Sequence, residues 1–103
     1  MIFLLLLLPT AILKDYSFQA CDPWNQLLLG PTYCAHDILK RNNLTLADID
    51  VLEIHEAFAG QILSNLVAMD SQKFADEFLD GKKVGAIDLD KMNTKGGSLS
   101  IGH

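Results

Sequence analysis

The chain has 103 residues, of which 50% are hydrophobic and 20% are charged, so it is long enough for one small domain and too apolar for a disordered segment. Its formal net charge is −5, and its eight Lys and Arg residues are scattered apart from pairs at 40–41 and 82–83. The charge therefore argues against nucleic-acid binding, which needs clustered positive side chains facing the phosphates.

The N-terminus begins with an unbroken apolar run over residues 2–8, which Pro9 ends. The run is too short to span a bilayer, which takes about 20 residues, and it lacks the positive region that precedes the apolar core of a signal peptide. We interpret residues 1–8 as a foreign or artefactual apolar leader, or as a buried segment. A short interfacial anchor is the alternative, so membrane association stays open.

The next part of the chain predicts one strand and one helix. Residues 12–20 alternate loosely between apolar and polar side chains, which is typical of a half-buried strand. After a Gly-Pro turn, Thr32 is the expected N-cap of a helix that the pair Asn42-Asn43 ends. Thr45 and Asp48 then have the spacing of a capping box, with Asp in place of Glu.

The second half of the chain repeats this alternation. Residues 51–54 suit an interior strand, and apolar residues every three to four positions from Phe58 to Met69 predict a helix. A second helix is expected after Ser71, and residues 96–103 form a glycine-rich strand or turn. Strands that alternate with helices predict an α/β fold in which a layered sheet packs against helices.

His55 is the first candidate for chemistry, because it lies where a predicted interior strand is followed by a helix. Ligands of α/β sheets bind at the carboxyl ends of strands, and the free N–H groups of a helix start favour developing negative charge. Glu56 is a candidate acid or base, or else a carboxylate that interacts with the helix dipole. Phe58 is most simply a core residue of the helix.

The remaining candidates have less support. His103 follows a run with three glycines, which let a backbone pass close to a ligand or a neighbouring strand, whereas His36 is expected to be solvated. Cys34 lies in the first turn of the predicted helix, where the dipole can lower a thiol pKa, with a buried spectator as the alternative. Cys21 and Cys34 are expected to be reduced thiols of an intracellular protein. The spacing of the three histidines predicts no metal site.

Four stretches of the sequence follow one another in the order of the thiolase family. They are residues 22–33, DPWNQLLLGPTY; 44–50, LTLADID; 55–63, HEAFAGQIL; and 96–103, GGSLSIGH. The chain resembles thiolases over residues 9–103, and it is most similar to the subfamily of long-chain 3-ketoacyl-CoA thiolases, in which His replaces the Asn of the usual Asn-Glu-Ala-Phe motif. The resemblance implies an incomplete thiolase-like C-terminal domain and a mitochondrial location.

The resemblance implies an acyltransferase reaction of fatty-acid beta-oxidation, the thiolytic cleavage of 3-ketoacyl-CoA to acetyl-CoA and a shortened acyl-CoA. Coenzyme A is then a substrate, and no cofactor is expected. His103 matches the histidine that activates the acylated cysteine, and His55 matches the residue that positions water or the substrate oxygen in an oxyanion hole. Ala57 and Phe58 match positions that line the pantetheine tunnel, with Glu56 beside them in a supporting role.

The resemblance also implies partners, namely acyl-CoA and CoA, and thiolase-like subunits or the alpha subunit of a trifunctional complex. Neither Cys21 nor Cys34 falls at either of the family's two cysteines, so the isolated chain is expected to be inactive. A noncatalytic interaction module that docks on a full-length thiolase is the second hypothesis. A small membrane-associated protein led by residues 2–8 is the third.

Overall fold

The computed structural model describes residues 9–102, which form four α-helices and two short 3₁₀ helices joined by irregular segments. The α-helices are α1 (Gly30–Asn42), α2 (Ala59–Asp70), α3 (Gln72–Phe78) and α4 (Ser98–Ile101), and the 3₁₀ helices span Leu46–Asp48 and Leu89–Lys91. The interpretation of residues 1–8 as a leader and the predicted role of His103 lie outside this range.

Helix α1 begins earlier than predicted. Leu29 is its N-cap and Pro31 lies in its first turn, where the fixed φ and the missing N–H of proline fit the helix. The prediction of Thr32 as N-cap is therefore wrong, and Thr32 lies inside the helix with no exposed surface. The predicted end is confirmed, because Asn43 adopts the left-handed conformation of a helix C-cap, with φ 53°.

The two helices predicted for the second half are confirmed as α2 and α3, which follow each other directly. The Ser71 hydroxyl caps α3 by accepting a hydrogen bond of 3.1 Å from the Phe74 N–H. Helix α2 packs against both α1 and α3. The buried apolar side chains are those of Leu39, Ile62, Ala68, Met69, Ala75 and Leu79.

The predicted layered sheet is not observed in residues 9–102, where a single parallel bridge between Leu52 and Met92 is the only β-pairing. A strand, unlike a helix, is stabilised through hydrogen bonds to a neighbour that is distant in sequence. Residues 12–20 have no such neighbour within the described range and remain irregular, and the last predicted strand gives way to α4. The described part of the chain is therefore mostly helical.

The N-terminal segment, residues 12–20, is held along α1 by side chains instead. The Arg41 guanidinium donates to the Asp15 carboxylate at 2.8 and 3.1 Å and to the Tyr16 carbonyl at 2.6 Å. The apolar side chains of this segment gain no cover from these contacts, since Phe18 is 88% exposed. Over residues 9–102, no helix has the length and apolar character needed to cross a membrane.

Candidate functional site

The backbone just before His55 is fixed by the side chain of Asn93. Its Oδ1 accepts a hydrogen bond of 2.8 Å from the Ile54 N–H, and its Nδ2 donates to the Ile54 carbonyl at 3.0 Å. The same Nδ2 donates to Glu56 Oε1 at 2.8 Å. The side-chain amide of Asn93 thus hydrogen-bonds the Ile54 backbone as a neighbouring strand would, and Asn93 directly follows the bridge residue Met92.

Ser98, at the start of α4, contacts the two residues that follow Ile54, namely His55 and Glu56. Its Oγ accepts a hydrogen bond of 3.0 Å from the Glu56 N–H, lies 3.1 Å from the Glu56 carbonyl oxygen, and lies 3.2 Å from His55 Nδ1. The Glu56 carboxylate in turn accepts from the Leu99 N–H at 3.1 Å. Glu56 was predicted to be an acid or base, or a carboxylate at a helix start; its carboxylate lies at the start of α4, 43 residues further along the chain.

Gly97 makes this approach of the two stretches possible. A Cβ atom built on Gly97 would lie 2.0 Å from the Glu56 Cδ and Oε2 atoms, far inside any permitted contact. Its φ of −115° is ordinary, so the requirement for glycine is one of space. The glycine-rich run was expected to pass close to a ligand or a neighbouring strand, and in the structure Gly97 passes close to the Glu56 carboxylate.

A cavity of about 360 Å³ adjoins His55. It is lined by His55, Ala57 and Gln61 from the second half of the chain, and by Leu28, Gly30 and Pro31 from the segment before α1 and its first turn, among others. Two of the stretches that carry the resemblance therefore meet at one cavity, and His55 and Ala57 face it together. Its volume lies at the lower end of the range for small-molecule sites.

Phe58 does not line this cavity, and the prediction that it is a core residue is wrong. Its ring is 65% exposed. Phe58 is the N-cap of α2 and has extended backbone angles, φ −149° and ψ 149°, so it precedes the apolar face of the helix. That face begins instead at Ile62.

Asn65 was not predicted from the sequence, and it hydrogen-bonds two residues that line the cavity, Leu28 and Gln61. Its Oδ1 accepts from the Thr32 N–H at 3.2 Å and the Thr32 Oγ1 at 2.8 Å, and its Nδ2 donates to the carbonyls of Leu28 and Gln61. Leu28 lies in the left-handed region, with φ 67°, which is uncommon outside glycine. The clue was a polar residue at helical spacing among the apolar positions of α2.

Both cysteines are free thiols in the structure, as predicted. Burial raises the pKa of the Cys21 thiol, and the neighbouring Cys34 adds to this rise. The Cys34 Sγ donates to the Ser17 carbonyl at 3.6 Å. Because the thiolate is the reactive form, a raised pKa disfavours Cys21 as a nucleophile.

His36 is buried, so the prediction that it is solvated is wrong. It shares the buried face of α1 with Thr32 and Leu39, at the spacing of a helix face. Its Nδ1 lies 3.5 Å from the Asp37 carboxylate. Within the part of the chain that the structure describes, no three His, Cys, Asp or Glu side chains gather into a group that could hold a metal ion.

Comparison with known proteins gives consistent matches. Residues 7–103 match the family model for the thiolase C-terminal domain. The chain is 54% identical over 96 residues to the mitochondrial trifunctional enzyme subunit beta of Bos taurus and to a probable 3-ketoacyl-CoA thiolase of Caenorhabditis elegans. It is 45% identical to the 3-ketoacyl-CoA thiolase of Colwellia psychrerythraea. Each match covers 92% of the chain, which spans only 20–22% of the length of these relatives.

Proposed function

The chain belongs to the thiolase family, by its match to the C-terminal domain, and on that basis we propose that it supplies part of the active site of a 3-ketoacyl-CoA thiolase. The reaction is the thiolytic cleavage of 3-ketoacyl-CoA to acetyl-CoA and a shortened acyl-CoA in fatty-acid oxidation. The observation that carries the proposal is the hydrogen bonding between two of the stretches that resemble thiolases, through Ser98 to His55 and through Glu56 to Leu99.

The proposed roles follow the chemistry of a covalent acyl-enzyme, which needs a thiolate, a base within reach and donors aimed at the developing oxyanion. His103 takes the proton of the attacking cysteine, and His55 holds water or the substrate oxygen. Ala57 contacts the acyl-CoA inside the cavity that it shares with His55. The exposed ring of Phe58 contacts the ligand further out, and Glu56 supports the site through its bonds to residues 93 and 99.

The acylated cysteine of this reaction is neither Cys21 nor Cys34. The raised pKa of Cys21 disfavours its thiolate, and the Cys34 Sγ donates to the Ser17 carbonyl instead of facing the cavity beside His55, which supports this assignment. The nucleophile is therefore a cysteine of a complete thiolase that is not among these 103 residues. Coenzyme A takes part as a substrate, and no cofactor enters the reaction.

Acyl-CoA, CoA and other subunits of a thiolase-containing complex are the proposed partners. Relatives from Bos taurus, Rattus norvegicus and Homo sapiens are named as mitochondrial trifunctional enzyme subunit beta, which supports an alpha subunit as partner and a mitochondrial location. A bacterial thiolase matches as well, so the mammalian relatives alone support that location. In the complete domain, residues 51–54 form a strand of the layered sheet, which the parallel bridge from Leu52 to Met92 supports, and residues 12–20 form another strand of it.

A chimeric enzyme tests the proposed function. Residues 9–103 replace the corresponding segment of the Colwellia psychrerythraea thiolase, and thiolysis of a 3-ketoacyl-CoA is followed. We expect the chimera to be active and the isolated chain to show no thiolysis, because the covalent step needs the missing nucleophile. Substituting His55→Ala or His103→Ala in the chimera should lower kcat/KM by roughly 10²–10³-fold, as the loss of a catalytic base or an oxyanion contact does.

The exposed surface of the N-terminal segment favours a second candidate, the noncatalytic module that docks on a full-length thiolase. Three apolar side chains of this segment are at least 80% exposed, those of Ile12, Leu13 and Phe18. Such exposure is unusual for a surface that binds no partner. A folded chimera without activity, together with binding of the isolated chain to the intact bacterial thiolase, would favour this candidate. Full activity of the His55→Ala and His103→Ala chimeras would refute the proposed roles.

A further inference from the structure

Among residues 9–102, three polar atoms lie within hydrogen-bond distance of the Ser98 hydroxyl, which has only one hydrogen to donate. These atoms are the Glu56 nitrogen at 3.0 Å, the Glu56 carbonyl oxygen at 3.1 Å and His55 Nδ1 at 3.2 Å. The Glu56 N–H can only donate, so it uses one of the two lone pairs of Oγ. The Ser98 proton then goes either to the Glu56 carbonyl oxygen or to the imidazole.

Only one of these two arrangements gives all three atoms a hydrogen bond. If the proton goes to the imidazole, the Glu56 carbonyl loses this partner, and a backbone carbonyl is a strong acceptor that is costly to leave unpaired. If the proton goes to the carbonyl, the second lone pair of Oγ accepts a hydrogen bond from His55 when Nδ1 carries a hydrogen. We propose that Ser98 is a positioning residue that holds neutral His55 in the tautomer with its proton on Nδ1.

This inference rests on the proposed function for its mechanistic meaning. In the Nδ1–H tautomer, Nε2 is the hydrogen-bond acceptor of the ring. His55 therefore does not donate directly to the substrate oxygen from a neutral ring. Of the two roles proposed for His55, holding water and holding the substrate oxygen, this tautomer favours the first, because an acceptor nitrogen can hold a water that donates to it.

Nuclear magnetic resonance of the full chain labelled with ¹⁵N-histidine measures the tautomer directly. Two-bond ¹H–¹⁵N correlation spectra are recorded at about pH 8, where an ordinary histidine with a pKa of about 6.5 is neutral. His55→Gln identifies the His55 resonances by their loss. We expect the shift of a protonated nitrogen at Nδ1 and that of an unprotonated nitrogen at Nε2.

Three variants complete the test. Ser98→Ala should lower the ratio of the Nδ1–H to the Nε2–H form about tenfold, the effect of losing one hydrogen bond, and Ser98→Thr should restore it. Ser100→Ala is the matched control, because the Ser100 hydroxyl donates to the Gly97 carbonyl in the same turn and should leave the ratio unchanged. In an active chimera, Ser98→Ala should lower kcat more than it raises KM.

The tautomer of His55 can be measured without thiolysis, so this inference and the proposed function can be refuted independently. An inactive chimera with the expected ratios would overturn the proposed function and leave Ser98 as the residue that orients His55. A wild-type spectrum that shows the His55 proton on Nε2 would overturn the inference. This measurement does not require Ser98→Ala to fold. A ratio unchanged in folded Ser98→Ala would overturn it equally.

Discussion

At position 97, a side chain of even one carbon atom would clash with the Glu56 carboxylate. The Glu56 carboxylate fills the space where the side chain of residue 97 would lie, and from there it bonds Asn93 and Leu99. Any larger residue at 97 must displace the carboxylate and break both hydrogen bonds. The conflict is therefore local to one pair of residues and can be measured as a pair.

Substitution of Gly97→Ala should lower the free energy of unfolding by about 0.5–1.5 kcal/mol, because the end of the Glu56 side chain must move aside and give up its hydrogen bonds. In a Glu56→Ala background the added methyl group meets no carboxylate, so this cost should shrink and give a coupling energy of roughly 0.5 kcal/mol or more. Urea titrations of the two single variants and the double variant provide the cycle. Additive effects would show that the two residues are not in conflict.

Gly60→Ala is the matched control for this cycle. A Cβ atom on Gly60 would have no neighbour within 4 Å in the part of the chain that the structure describes, and Gly60 lies in α2. Alanine there should raise the free energy of unfolding by about 0.5–1 kcal/mol, because it restricts the unfolded chain and favours the helix. A loss of stability in Gly60→Ala would mean that alanine is harmful at glycine positions in general.

The residues around His55 were only partly predictable from sequence. His55, Glu56 and Ala57 were predicted as site residues from their own motif and its resemblance to thiolases, and the structure places His55 and Ala57 at one cavity. Asn93 and Ser98 act through contacts to residues about 40 positions away, and a single sequence contains no trace of such pairings. Residue type led to the candidate residues, and only the fold identified the residues that contact them.

At the scale of elements, local hydrogen bonding separates what was predictable from what was not. Helices α2 and α3 satisfy their own backbone groups, so apolar spacing was enough to place them. The strand predicted over residues 12–20 depends on a partner and is irregular in the described chain. The start of α1 was predicted too late in the chain for another reason. Pro31 is as compatible with the first turn of a helix as with the loop turn that was predicted before the helix.

The capping box at the 3₁₀ helix Leu46–Asp48 makes a testable contribution to the pH dependence of stability. The Asp48 carboxylate accepts from the Thr45 N–H at 2.8 Å and from the Thr45 hydroxyl at 2.9 Å. The backbone hydrogen bond, followed by the side-chain one, holds the pKa of the Asp48 carboxyl below its ordinary value of 3.8. A lowered pKa in the folded state adds stability above the ordinary value and loses it as the pH falls through the folded value.

Asp48→Ala should therefore lower the urea midpoint at pH 7, and the difference from wild type should narrow as the pH falls below about 3.8. Thr45→Val removes one of the two hydrogen bonds and keeps the backbone one, so it should give an intermediate change. Urea titrations over this pH range measure both. A difference between wild type and Asp48→Ala that stays constant with pH would contradict the role assigned to the carboxylate.

At the scale of the whole molecule, the apolar surface of the N-terminal segment is the main feature to explain. The segment is fixed to α1 through Asp15 and Arg41, while Ile12 and Phe18 remain 87% and 88% exposed. A domain of a larger enzyme buries such side chains against neighbouring structure, and the relatives are about five times as long as this chain. The same side chains should bind to one another when the chain is studied alone.

The isolated chain should therefore self-associate, and the paired substitutions Ile12→Lys and Phe18→Lys should shift it toward the monomer by placing positive charges on the surface that associates. Light scattering over a concentration series measures the average mass. Leu89→Lys is the matched control, because Leu89 is an exposed apolar residue on a different element and its substitution should leave the association in place. Equal dissociation by both sets of variants would point to net charge as the cause, and a wild-type chain that stays monomeric would show that the N-terminal segment needs no partner.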